Sequence, residues 1–257
     1  MELILNLPAR RIARGLLAVT IGLLVLSNLG RLLLFHFPQV PGLNAFAHKV
    51  YLDEEANIPA LYAVLALMFA GGLLHLIATL EAQRQSATRK YWRILGWIFC
   101  GLAIDEWIGF HELLIQPFGR LGWGGFFHYA WVIPGMAVVL AVGLWSIGFL
   151  KQLSGWLRRR FVLAGGLYVL GALGFEMLDG KVVDRLGEKG VLFDPVYQSL
   201  MTCEEGLEKL AIVLFIYTLL QYLNQQHQVH QLRLSIPGSY RAQPGLQPEI
   251  TLGPIRD

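Results

Sequence analysis

The sequence predicts an all-α fold: an integral membrane bundle of six transmembrane helices with both termini cytoplasmic. Three observations lead there. Of 257 residues, 55% are apolar and only 15% charged, with a mean hydropathy of +0.50, unlike a soluble domain of this size. Six apolar runs of spanning length occur, at about 15–37, 58–80, 93–116, 127–150, 161–179 and 204–223. Lysine and arginine are divided unequally between alternate connections.

The first run follows Arg10, Arg11 and Arg14 but is too long for a cleaved leader and lacks a small-x-small cleavage site, so it reads as an uncleaved helix. The second begins with Asn57 as a cap and Pro59 in the first turn, where a missing N–H costs little. The third, fourth and fifth are bounded by short charged connections. The sixth is expected to start early, because Asp194-Pro195 is a good cap followed by proline at the first helical position. Residues 1–223 form one transmembrane domain. From 224 the chain turns polar, with Gln225-Gln226-His227-Gln228 followed by Pro237, Pro244, Pro248 and Pro254. This reads as a cytoplasmic helix extension and an irregular tail.

Of the 21 bases, fourteen fall on the side of the termini, five on the other, and Arg31 and Lys209 lie inside spans. Since cytoplasmic segments retain positive charge, this sets the orientation and explains the net charge of +3 without nucleic acid. Cys100 and Cys203 suffice neither for a disulfide framework nor for a thiolate zinc site.

Eight acids interrupt the apolar runs: Asp105, Glu106 and Glu112 in the third, Glu176 and Asp179 in the fifth, Glu204, Glu205 and Glu208 in the sixth. At about 1.5 Å per residue they fall roughly 18–28 Å from the cytoplasmic ends, one layer in the outer half of the bilayer. An ionised carboxylate in hydrocarbon needs a partner or a wet cavity. Helical phase puts Asp105 with Glu112 and Glu204 with Glu208, and turns Glu205 toward Lys209 as an i, i+4 ion pair. Arg31 either snorkels to the interface or, as favoured here, pairs with a site carboxylate such as Glu176. The surplus negative charge calls for protons, metal cations or water.

His111 beside the cluster and His128 at the start of the fourth run add imidazole to carboxylate, a ligand mixture that suits zinc, iron or manganese. The candidate metal ligands are His111, Glu112, His128, Glu176, Glu204 and Glu208. Asp105 and Glu106 are the candidate catalytic acids, with Asp105 as proton acceptor or a further ligand. The run Asp53-Glu54-Glu55 reads first as helix N-terminal charge and second as a rim of the site. Trp97, Trp107, Trp123, Trp131 and Trp145, with Phe126 and Phe127, mostly read as packing or interfacial belt residues.

The segments Leu52-Asp53-Glu54-Glu55-Ala56-Asn57-Ile58-Pro59, Asp105-Glu106 with His111-Glu112, Gly171 to Asp179, and Glu204-Glu205 with Glu208 resemble a family of bacterial polytopic membrane proteins. The resemblance runs from about 50 to 223. It implies the membrane fold and the grouping of these segments, and transfers no activity.

The functional expectation is a metalloenzyme of the bacterial inner membrane, a hydrolase or oxidase acting on a lipid-soluble substrate through a divalent metal ion. A proton- or cation-coupled transporter is the second reading. It needs a polar pathway on the inner side, where the sequence offers little. A noncatalytic subunit of a larger membrane complex is the third.

Overall fold

Helix starts in this chain follow their capping chemistry. A computed structural model describes residues 2–119, 122–229 and 231–235. In order these form β1 (Glu2–Asn6), α1 (Ala9–His36), α2 (Leu43–Val50), α3 (Ile58–Gln83), α4 (Arg89–Ile108) and α5 (Ile115–Gly119). Then come α6 (Val132–Gln152), α7 (Gly155–Val169), α8 (Glu176–Leu186), α9 (Glu188–Val191), α10 (Pro195–Gln226) and β2 (Gln231–Ser235). At α3 the Asn57 side chain accepts the Ala60 N–H at 3.0 Å, with Pro59 in the first turn. At α10, Asp194 Oδ1 accepts from Val196 N (3.0 Å) and Tyr197 N (2.9 Å), with Pro195 at the first position. Both caps occupy donors that a helix start otherwise leaves orphaned.

Five helical stretches are long and apolar enough to cross a membrane: Ala9–His36, Ile58–Gln83, Val132–Gln152, Gly155–Leu186 and Pro195–Gln226. The other long helix, α4, packs lengthwise on α3 but carries Arg89, Lys90, Arg93, Asp105 and Glu106 within its 20 residues. The helix α10 is the axis of the bundle and contacts α1, α3, α7 and α8. Its largest core is apolar and aromatic, around Trp92, Phe149, Phe161, Phe215 and Leu219. That core lies toward the end of the bundle that carries both termini, called here the terminal end.

Three differences from the expected elements bear on the site. The third run does not continue to 116, because α4 stops at Ile108 and Gly109 turns the chain with φ +67°. Glu112–Leu114 then forms a separate 3₁₀ turn. The fourth run begins as a connection with a 3₁₀ turn at Gly125–Phe127, and α6 starts only at Val132. The fifth run is a continuous passage from Gly155 to Leu186 interrupted by a π turn at Leu170–Phe175, immediately before Glu176. Finally, part of the tail expected to be irregular is a strand: β2 pairs antiparallel with β1, from Glu2 opposite Ser235 to Asn6 opposite Gln231. Residues 236–257 lie outside the described residues.

Candidate functional site

The end of the bundle opposite the termini holds a cavity of about 840 Å³ lined by the 52–55 segment, α4 and the turns after it, α6, α7, the π turn, α8 and α10. Eleven carboxylate residues line it, and among the described residues its walls contain no lysine or arginine. The sequence-predicted residues Asp105, Glu106, His111, Glu112, Glu176, Glu204, Glu205 and Glu208 all reach it. Toward the terminal end the stacked pair Phe99 and Phe215 (ring centroids 4.7 Å apart), with Phe161 against Phe215 (4.8 Å), fills the bundle below.

Near the rim, local chain geometry assembles a histidine with carboxylates. The glycine turn at 109 ends α4 and folds His111 back onto the last turn. There its backbone N–H donates to Asp105 Oδ1 (3.0 Å), and its Nδ1 lies 2.9 Å from Asp105 Oδ2. A proton on Nδ1 makes this a charge-assisted hydrogen bond and leaves the Nε2 lone pair free. One ligand atom each of Glu55, His111 and Glu112 lie within 4.8 Å of one another. A tetrahedral site with bonds of about 2.1 Å spaces its ligands by about 3.4 Å, and Glu112, the exposed member of the trio, is the freest of the three to adjust. Partial burial, and next the adjacent Glu112 carboxylate, push the Glu55 carboxyl above its ordinary range.

The 51–57 segment is fixed independently. Buried Asn57 donates to Tyr51 O (2.5 Å) and His48 O (3.3 Å) while capping α3. Its other acids are engaged, Glu54 with His48 Nδ1 and Asp53 as acceptor from Tyr197 Oη at 2.9 Å. Glu55 is thus the acid of this run that meets His111. It comes so close to Gly109 that a Cβ there would lie 2.3 Å from both its carboxylate oxygens. Gly109→Ala is expected to displace Glu55 and to cost about 1–2 kcal/mol for the left-handed backbone alone. Thermal unfolding and a metal titration of the variant check both effects.

Deeper in the cavity, Glu176 and Asp179 of α8 meet Glu204 and Glu208 of α10. The π turn brings its backbone against α10. A Cβ on Gly171 would lie 2.9 Å from Glu204 O and 2.8 Å from Glu208 Cγ, so only glycine permits this approach. Asp179 is 3% exposed and its Oδ1 has no hydrogen-bond partner. Glu176 Oε1 accepts from Trp131 Nε1 at 3.1 Å, and the Trp131 ring lies 4.7 Å from that of His111. The residue expected to serve as packing or belt therefore links the two carboxylate groups. Glu205 is ion-paired with Lys209, which is 2% exposed.

Two expected participants are elsewhere. His128 does not line the cavity. Because α6 starts at Val132, His128 belongs to the connection, where it packs over Gly180 with Nδ1 3.5 Å from Asp184 Oδ1. Arg31 does not pair with Glu176, and its guanidinium stacks on Tyr51 at 3.4 Å from the ring centre, a cation–π contact. Asp105 also changes role, since both its oxygens are committed to His111. Trp131 and Tyr197 are among the residues that sequence reasoning did not assign to the site, and Glu55 was read there only as rim. For Glu55 the signal was its place in an acidic run at the same end of the bundle as the carboxylate layer.

The chain belongs to the family described as a domain of unknown function (DUF8692), whose family model matches residues 16–222. Neither a curated protein nor a solved structure matches it.

Proposed function

We propose that this member of a family without an assigned function is a membrane-embedded, metal-dependent enzyme. In this reading Glu55, His111 and Glu112 hold one divalent cation, zinc, iron or manganese, beside the cavity. The observation that carries it is the convergence of one donor atom each from these three residues, with the His111 ring held at Nδ1 by Asp105, which leaves Nε2 to serve as the ligand. Carboxylate-oriented histidine is the usual outer-shell arrangement of metal sites. Three protein ligands leave a coordination position open, as catalytic rather than structural sites do. His128 is not part of this ligand set, and Glu176, Glu204 and Glu208 act as the acids behind it.

The chemistry follows from the residues. A bound cation supplies a Lewis acid and a water of lowered pKa. Asp105 fixes the tautomer and direction of His111. Glu106, Glu176 and Glu204, in the same cavity and without a matching number of bases, accept and return the proton. Hydrolysis of a lipid-soluble substrate needs only this set and water. The basic residues clustered toward the terminal end support six spans with both termini cytoplasmic in a bacterial inner membrane, so that the cavity faces outward. The aromatic packing below the cavity weighs against a transport path continuing to the terminal face.

Elemental analysis of the purified full-length protein, loaded in turn with Zn(II), Mn(II) and Fe(II), tests the reading. About one equivalent per chain is expected, and less than about a tenth of that in Glu55→Gln and Glu112→Ala at wild-type melting temperature. Well-folded wild-type protein that retains none of the three metals overturns it.

A further inference from the structure

The acid-lined cavity has a second, apolar side. Phe110, Leu113 and Val138 line it and yet are 51%, 66% and 61% exposed, so they form a mouth on the flank of the bundle and not at its distal end. This mouth lies between the end of α4 with its following turn and α6. Near the terminal end the two helices meet through Trp92 against Phe149 (5.0 Å) and Tyr91 against Trp145 (5.1 Å). Toward the cavity they stand on opposite walls of it, Leu102 on α4 and Val139 on α6. Behind the mouth Val169, Ala172 and Leu173 continue the apolar wall to the carboxylates.

We infer that this flank admits a membrane amphiphile laterally, its hydrocarbon chain lying along Leu102, Val139 and Ala172 and its uncharged or cationic polar end meeting the acid floor. Three features fix the occupant. At the flank of a bundle with this surface the medium is lipid, and a mouth rimmed by phenylalanine, leucine and valine offers nothing to a water-soluble ligand. The wall behind it is apolar at Leu102, Val139, Val169, Ala172 and Leu173, and the polar side chains beside it, Trp131 and Tyr168, are neutral. The floor carries Glu176, Asp179, Glu204 and Glu208, and no lysine or arginine lines the cavity among the described residues, so an anionic headgroup meets repulsion in a poorly screened site while a neutral or cationic one does not. The inference rests on the metalloenzyme reading only for what happens to the polar end. Chain binding stands without it, and the charge rule is that of the metal-free cavity, since a bound divalent cation with an open position would itself take a carboxylate.

The test places the full-length protein, freed of divalent metal by chelation, in phosphatidylcholine nanodiscs with three probes of one chain length, an alcohol, an amine and a carboxylic acid, each bearing a mid-chain diazirine. After illumination, peptide mapping is expected to find alcohol and amine adducts at Leu102, Val139 or Ala172. Acid adducts there should be about tenfold fewer, the factor that ~1.4 kcal/mol of repulsion gives. Val139→Trp on the sparsely packed α6, and separately Ala172→Trp, should remove wall labelling. Labelling at Leu65, on the outer surface of α3 and 60% exposed, should persist in both. Equal labelling by the acid probe, or wall adducts that survive Val139→Trp, overturns the inference. Plug-sensitive labelling of a protein that binds no metal keeps it and removes the metalloenzyme reading instead.

Discussion

Lys209→Met, behind the cavity wall, is expected to destabilise the protein by about 3–5 kcal/mol, because it strands the half-buried Glu205 carboxylate without its counter-charge. Lys209 is ion-paired with Glu205 one turn earlier, is 2% exposed, and lies within electrostatic reach of Glu106 and Glu208 as well. The cation therefore offsets more than one acid, and methionine of similar volume keeps the packing while removing only the charge. Glu205→Gln combined with Lys209→Met should recover most of the loss, since replacing both partners of a buried pair is often neutral. The recovery should be incomplete, by the share of the loss that Glu106 and Glu208 cause. Thermal and denaturant unfolding of the two single variants and the double variant, closed as a double-mutant cycle, gives the coupling energy. A single variant as stable as wild type would mean that Lys209 does not compensate the acid layer.

The layer itself was legible in the sequence because charge in hydrocarbon is costly and helical rise is fixed, so depth follows from counting residues. The starts of α3 and α10 were legible for a local reason. Asn57 with Pro59, and Asp194 with Pro195, are side-chain and ring chemistry confined to one turn. What escaped was whatever depends on backbone departing from a straight helix. Leu113, Leu114 and Ile115 continue the hydropathy of the third run past Gly109, so phase seemed to join Asp105 to Glu112 on one face. In the folded chain the αL turn at Gly109 breaks that register and joins Asp105 to His111 instead. The π turn before Glu176 is equally invisible to a 3.6-residue period, although Gly171 and Gly174 mark where it forms. Glu55 was given the site rim only as a second reading, because acids ahead of a helix have a sufficient explanation in the helix dipole. The cap turned out to be Asn57 alone, which left Glu55 to the site. Arg31 found an aromatic face, a partner that charge accounting never considers.

Asp105→Asn should weaken metal binding about 10–100-fold while leaving the fold intact, the size of effect found for outer-shell partners of ligating histidines. Asp105 makes two contacts with one residue, accepting the His111 backbone N–H at Oδ1 and facing Nδ1 from Oδ2 at 2.9 Å. An asparagine keeps the shape and one acceptor but no charge. Its amide also allows the reverse hydrogen bond, with Nδ2 donating to Nδ1, which moves the ring proton to Nε2 and blocks the nitrogen proposed as the ligand. Asp105→Ala removes both contacts, so it should weaken binding further and also lower the melting temperature by loosening the turn at Gly109. Competition with a chelator of known affinity at fixed pH measures the ratios, with His111→Ala as the reference for complete loss of the imidazole. If His111→Ala and Asp105→Asn both bind metal as wild type does, the ring is not a ligand. If only His111→Ala is impaired, Asp105 has no part in orienting it. Weakening in both, with the larger effect at His111, is the pattern required of a carboxylate that acts through the histidine rather than on the metal.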